Sequence, residues 1–234
     1  MPSQTPPSPT PPNLQTIPLP AGLAGRVEVR LLDLASAEAA LPLALSLLSA
    51  AERARARRYR HPVDTQSFAL TRASLRQWLA TQLGQATERI DIITGPHGKP
   101  RLADGALHFN VAHAGRYALL ALSATHEIGV DIEAIDHQRP WADIARQAFS
   151  AQEQALSSDA ESFYRIWTAK EAVVKSWGSG IDDALTSFSA IPAEGRLQLL
   201  ASTWLPQLPH TEAWSLPAPE GYAAALAVLG DDLP

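Results

Sequence analysis

The sequence predicts a mixed α/β (α+β) fold built from two similar halves, and three observations lead there. Runs with strand-like alternation are interspersed with runs at helical spacing. The order strand, helix, arginine-rich helix, long helix, strands across residues 26–123 is echoed across 128–229, with a join near Ser123–His126. The chain has 234 residues, 46% hydrophobic and 18% charged, enough for one large packed domain or two small ones. The expected division is a disordered Pro-rich tail over 1–20, an N-terminal subdomain over 21–124 and a C-terminal subdomain over 125–234, in a monomer.

Composition removes several functions. Lys+Arg number 19 against 24 Asp+Glu, a formal net charge of −5, which argues against a nucleic-acid partner for the whole molecule. Without cysteine there are no disulfides and no thiolate metal sites, and the expected compartment is the cytoplasm. No apolar run reaches the roughly 18 residues of a spanning helix, so no membrane partner is expected. The first twelve residues hold six prolines and no charged n-region, so they read as a tail and not a signal peptide.

In chain order, Arg26–Leu31 alternates as a strand and 36–48 is an Ala/Leu-rich helix with Pro42 near its start. Ser49 with Glu52 three residues on is a capping box. It introduces Arg53, Arg55, Arg57, Arg58 and Arg60, either a solvated helix face or an anion site, since guanidinium forks match phosphate oxygens. His61-Pro62 stops that helix. Asp64 or Thr65 caps the next, which runs to Leu83 with Phe68, Leu75, Trp78 and Leu79 on its apolar side and Gly84 as its stop. Ile90–Ile93 is a short strand. The rigid loop Gly95–Pro100 holds Lys99, either surface decoration or a phosphate contact.

The stretch His108–Gly115 is a strand ending at His113 before small residues, and Tyr117–Ser123 is a strand buried on both faces. In Ile128–Glu133, a strand, Asp131 and Glu133 leave one face while Ile128, Val130 and Ile132 take the other. Two carboxylates side by side need a positive partner, and a divalent metal supplies one. Asp136–Phe149 is a helix beginning near Pro140. Ser150 caps a short helix with Glu153 at its third position, a structural account of Glu153. Glu161–Trp177 is a helix closed by Gly178 and Gly180. Hairpins follow: Ser187–Ala190 with Arg196–Leu200, then Thr211–Leu216 with Tyr222–Leu229.

Glu171 and Lys175 stack four apart on that last helix, an arrangement common in exposed ion pairs. Taken with Asp131 and Glu133, Glu171 completes three carboxylates with no obligatory histidine. That set suits a hard cation, Mg²⁺ or Mn²⁺ more than Zn²⁺. Lys175, Lys170, Lys99, His113 and the arginine cluster supply phosphate contacts, so a pyrophosphate-bearing substrate is the economical inference. Trp167 reads as core packing.

Gly129-Val130-Asp131-Ile132-Glu133 followed by Trp167-x-x-Lys170-Glu171-Ala172-x-x-Lys175 resembles the 4′-phosphopantetheinyl transferases of the larger, surfactin-synthetase-activating type, in their W/KEA subgroup. Gly98-Lys99-Pro100 and Phe109-Asn110-Val111-Ala112-His113-Ala114-Gly115 agree in order and spacing. The resemblance covers roughly 26 to 229, and four motifs in order are specific where any one is weak.

The resemblance implies transfer of the phosphopantetheine arm of coenzyme A to a serine of an apo acyl, peptidyl or aryl carrier protein, releasing adenosine 3′,5′-bisphosphate. It implies that Asp131, Glu133 and Glu171 hold Mg²⁺ (with Mn²⁺ as the alternative) against the CoA pyrophosphate. Lys175 and His113 would contact that pyrophosphate, with Lys170 a further phosphate contact. Lys99 and Pro100 would lie along the nucleotide, and Arg53 and Arg55 at the 3′-phosphate. Glu153 and Glu171 are the competing bases for the serine, and Lys175 could assist the leaving group. Two departures stand out: Ala112 where the family usually has Ser, and Glu52 at the first cationic position of the arginine segment. The carrier is expected to be acidic where it docks, on a basic or apolar groove near the join of the halves. Two rival readings use the same residues: a Mg²⁺-dependent hydrolase of CoA-like nucleoside diphosphate derivatives, and a non-catalytic CoA- or carrier-binding scaffold.

Overall fold

The structure, a computed structural model, describes residues 13–178, 185–193, 195–202 and 208–230. The described residues fall into two compact units. One takes the chain up to Gln15 and Leu32–Asp91, the other Thr16–Leu31 and the chain from Ile92 onward.

The first unit is mainly helical. A 3₁₀ turn, Glu38–Ala40, leads into α1 (Leu41–Leu47) with Pro42 in its first turn, where a missing N–H costs nothing. Before α2 (Ala50–Ala56) the expected capping box is present: Ser49 Oγ accepts from Glu52 N at 3.2 Å, and Glu52 accepts from Ser49 N at 2.8 Å. The helix stops at Ala56, short of the other arginines, because Arg58 N turns back to Arg55 O in a tighter bond. The next helix, α3, runs Pro62–Leu83 and not from Asp64 or Thr65. Pro62 fixes a helical φ and holds His61 extended, so His61 becomes the N-cap residue. Gly84, at φ 61°, ends the helix as expected. Phe68, Leu75, Trp78 and Leu79 are buried.

The second unit carries three sheets. A four-stranded one has the order β1 (Leu14–Thr16), β2 (Glu28–Asp33), β6, β5, where β5 is His108–Ala114 and β6 is Tyr117–Ser123; β1 and β2 each run across the unit boundary. The tail expected over 1–20 therefore ends sooner. Residues 1–12 lie outside the described residues, but Leu14–Thr16 is a strand and Ile17 is buried. A small hairpin pairs β3 (Ile92–Thr94) with β4 (Pro100–Leu102) around the Gly95–Lys99 loop. A five-stranded antiparallel sheet has the order β7, β11, β10, β9, β8, with β7 Ile128–Ala134, β8 Phe188–Ala193, β9 Arg196–Ala201, β10 Thr211–Leu216 and β11 Tyr222–Leu229. Gly180 lies outside the described residues.

Two faces of β7 sort the sheet's duties. Ile128, Val130 and Ile132 pack with Val29, Leu31, Leu119 and Ala121, so the two larger sheets share one core. Each such buried aliphatic contributes about 1.5–3 kcal/mol. The opposite face, Gly129, Asp131 and Glu133, meets a helix. After α4 (Trp141–Ala148) and α5 (Ala151–Leu156) comes that helix, α6 (Ala160–Trp177), capped by Asp159 and ended by Gly178 at φ 66°. Ala169, Ala172 and Val173 of α6 lie on Ala213, Ala225 and Ala227 of the sheet. Small side chains there let the helix come close. At Gly129 the approach is closest: a Cβ would sit 2.0 Å from Ala172 O and 2.5 Å from Ser176 N.

Candidate functional site

Because α6 lies directly on β7, its Glu171–Lys175 face meets the carboxylate face of the strand. Lys175 Nζ donates to Asp131 Oδ1 at 2.6 Å and stands 3.8 Å from Glu171 Oε2. Asp131 is 3% exposed and its Oδ2 has no hydrogen-bond partner. Glu133, two residues on, shares that face.

The electrostatics follow from one ammonium among three carboxyls. Burial pushes Asp131 up to about 7; Lys175 opposes the shift, and Glu133 and Glu171 add to it. Burial also raises Glu133 and Glu171, with Lys175 opposing in both. Trp167 hydrogen-bonds to Glu133 as well, so this indole touches the site besides packing on Phe149 and Phe163. For Lys175 burial lowers the pKa, but Asp131, Glu171 and Glu133 outweigh it and hold the ammonium charged above its usual range.

Lys175 also lines a cavity of about 290 Å³ with His97, Gly98, Lys99, Pro100, Asn110, Val111, Val174 and Gly178. Thus Lys99 and Pro100 are brought to the same cavity as Lys175. A second cavity of about 380 Å³ shares Lys99, Pro100 and Gly178 and is bordered by His108 and Trp177. Lys99 Nζ is held by Glu127 Oε2 at 2.7 Å and by the Ile128 carbonyl at 3.1 Å, and His108 Nδ1 lies 3.0 Å from Glu127 Oε1. Burial raises the Glu127 carboxyl, but Lys99 and His108 outweigh it and hold the group below its usual range.

His113 is exposed near the end of β5, the strand that lends Asn110 and Val111 to the cavity. Arg53 and Arg55 belong to the first unit. Arg53 Nη1 donates to the Leu48 carbonyl, and Arg55 lies over the Phe68 ring at 5.1 Å.

Two expected site residues stand elsewhere. Lys170 and Glu153 form an ion pair at 2.8 Å with both side chains 0% exposed. As the side chains stand, neither Lys170, expected as a phosphate contact, nor Glu153, expected as a base, is exposed, and neither lines the cavity that holds Lys175. The cause lies in the helix. Lys170 precedes Glu171, so it projects about 100° away from it, into the core between α5 and β8.

Two residues of structural weight had no role in the sequence reading. Asn110 Oδ1 accepts from Val130 N at 2.9 Å and so satisfies an amide on the free edge of β7. Gly129 admits α6. A glycine inside a strand is the readable sign of such an approach; nothing in the sequence signals the role of Asn110.

A sequence profile described as the 4′-phosphopantetheinyl transferase superfamily matches residues 127–227, and one described as 4′-phosphopantetheinyl transferase, N-terminal, matches 35–125. The chain belongs to the 4′-phosphopantetheinyl transferase superfamily and is an enzyme, a transferase, with the two-part architecture of that family. Among its relatives is the Synechocystis sp. protein slr0495, named provisionally as a 4′-phosphopantetheinyl transferase: 39% identical over 180 residues, 73% of this chain and 71% of the relative. The 4′-phosphopantetheinyl transferase HetI of Nostoc sp. is 31% identical over 183 residues, 74% and 75% of the two chains. The 4′-phosphopantetheinyl transferase Sfp of Bacillus subtilis is 31% identical over 153 residues, 62% and 66%. Among the described residues, no helix is long and apolar enough to cross a membrane.

Proposed function

We propose that the protein moves the 4′-phosphopantetheine arm of coenzyme A onto a serine hydroxyl of an acidic apo carrier protein in the cytoplasm, with Mg²⁺ required and adenosine 3′,5′-bisphosphate released. The observation that carries this reading is the meeting of Asp131, Glu133, Glu171 and Lys175 beside the cavity that Lys99 and Pro100 line. The family and the names of its relatives support the transfer.

The donor chemistry fits a hard divalent cation. Asp131 Oδ2 is buried without a partner, and burial holds all three carboxyls above their usual range, which marks negative charge short of compensation. Asp131, Glu133 and Glu171 would hold Mg²⁺, or Mn²⁺ in its place; when bound it would supply positive charge to pyrophosphate oxygens. As the side chains stand, no three or more Asp, Glu or His among the described residues are close enough to hold a metal ion. Lys175 stands between Asp131 and Glu171. Since it also lines the cavity, it is the group that would exchange Asp131 for a pyrophosphate oxygen.

In this reading Lys99 and Pro100 lie along the nucleotide, His113 joins Lys175 at the pyrophosphate, and Arg53 and Arg55 take the 3′-phosphate as guanidinium forks. Residues 21–124 then serve the nucleotide, and 125–234 the metal and the proton. With Glu153 sealed from solvent, Glu171 is the carboxylate that takes the serine proton. The serine oxygen bonds to the β-phosphorus as the bond to the bisphosphate oxygen breaks, and Lys175 stabilises the departing charge.

The nucleotide product tests this. The protein is incubated with CoA and Mg²⁺, with and without an apo carrier, and the nucleotides are separated by chromatography. Adenosine 3′,5′-bisphosphate is expected only with the carrier. Its formation without a carrier would favour the hydrolase reading, and its absence from both mixtures would favour a scaffold.

A further inference from the structure

Five polar contacts converge on the buried pair Glu153–Lys170. Lys170 Nζ donates to Glu153 Oε1 at 2.8 Å, to Glu153 Oε2 at 3.0 Å and to the Phe188 carbonyl at 2.5 Å. Glu153 Oε1 also accepts from Ala190 N at 2.7 Å, and Oε2 from Ser150 N at 2.7 Å. Phe188 and Ala190 lie on β8, an edge strand of the five-stranded sheet. Ser202 N bonds to Ser187 O on the β9 side, so residues 188 and 190, of the opposite parity, present carbonyl and amide to the free side. The ion pair satisfies both, as a neighbouring strand would.

The same helix is fastened at the other edge. Lys175 binds Asp131 on β7, and β7 and β8 are the two ends of the strand order. On β7 itself, the contact at Gly129 sets how near α6 lies. What remains free in such a packing is the helix's rotation about its own axis. A turn of a few tens of degrees would swing Glu171 and Lys175 away from Asp131 and Glu133. Lys170, next to Glu171 and tied to a fixed carboxylate and a fixed carbonyl, removes that freedom.

Stability alone is a poor reason for such a pair. Apolar residues of similar volume commonly match or exceed a buried ion pair in stabilisation, because two charges must be desolvated. Apolar packing cannot supply direction, and five bonds of fixed geometry can.

We propose that Glu153 and Lys170 are a positioning pair, which sets the rotation of α6 so that Glu171 and Lys175 face Asp131 and Glu133. Neither is a base or a phosphate ligand. The inference rests on the transfer reaction proposed above.

The test uses the double variant Glu153→Gln with Lys170→Met, which removes both charges and keeps the shapes. Lys170→Met alone strands a buried carboxylate, so stability and activity should fall together. In the double variant the melting temperature should recover. The kcat of transfer should stay lowered on the order of a hundredfold, with KM for CoA little changed. Mg²⁺ affinity, read by calorimetry without CoA, should weaken roughly ten- to a hundredfold. A double variant with wild-type melting, kcat and Mg²⁺ affinity would overturn the proposal. If the double variant does not fold, Glu153→Gln decides through its pH profile. A positioning residue leaves the acidic limb of kcat in place, and loss of that limb would make Glu153 the base. Should the wild-type protein modify no carrier, the transfer reading fails, while the Mg²⁺ affinities still test the positioning.

Discussion

Lys175 Nζ stands 2.6 Å from Asp131 Oδ1, joining a helix to the carboxylate face of the strand beneath it. That contact holds one cation among three carboxyls, of which Asp131 and Glu171 are buried and Glu133 half-buried, and the first prediction follows from the imbalance. Burial lifts the Asp131 carboxyl to about 7 in the folded protein, well above the usual carboxylate range. The folded state thus binds its proton more tightly. The stability this adds is fully present below about pH 4 and is lost as the pH rises through about 7. Asp131→Asn, which cannot ionise, should flatten that slope in thermal melts across pH 5–8 and abolish transfer. A slope equal to wild type would assign the titration to another group.

A divalent cation should take over where the proton leaves. Mg²⁺ at about a hundred times its dissociation constant should raise the melting temperature by roughly 5–10 °C. The rise should be larger at pH 8 than at pH 6, because protonated carboxyls compete with the metal. Glu171→Ala should reduce the rise at both values. An equal rise in wild type and variant would remove Glu171 from the metal site.

Glu171→Gln keeps the shape of the side chain and removes its basicity. Transfer should fall about 10²–10⁴-fold in kcat, the usual share of a positioned base, with little loss of melting temperature. Retained kcat would contradict both roles given to Glu171.

Gly129→Ala places a Cβ against backbone, 2.0 Å from Ala172 O, where no side chain can move aside. Displacing α6 should cost about 1–3 kcal/mol in urea unfolding, and transfer should fall with it. Wild-type stability and transfer together would mean that the helix need not lie so close.

In the first unit, Glu52 closes the Ser49 capping box and faces Arg76 at 3.3 Å and Arg72 at 3.6 Å, all largely buried. Glu52→Ala should lower stability by about 3–5 kcal/mol, since it leaves two guanidinium groups without their carboxylate. Urea unfolding measures it. A loss below about 1 kcal/mol would mean the pair contributes as little as an exposed one.

Local chemistry made much of this fold legible. The capping boxes at Ser49 and Ser150, the glycine stops at Gly84 and Gly178, and the hairpin Thr211–Leu216 with Tyr222–Leu229 each depend on residues close in sequence, and each is present. The alternation that put Asp131 and Glu133 on one face also holds. What sequence could not give was direction in three dimensions. Lys170 and Glu171 are neighbours on one helix, yet one is sealed against β8 and the other faces β7; only the tertiary packing separates them. Asn110 sits in a motif that was read, but its partner, Val130 N, is 20 residues away on another strand. Strand β1 was hidden because its pairing partner, not its own short sequence, makes it a strand.

The reaction proposed for this protein is transfer of phosphopantetheine to a carrier serine. Its most direct measurement is the intact mass of an apo carrier protein after incubation with this enzyme, CoA and Mg²⁺. The prediction is a gain of one phosphopantetheine on the wild-type carrier, and none on a carrier whose acceptor serine is replaced by alanine. No mass gain on any of several acyl, peptidyl and aryl carriers would contradict it.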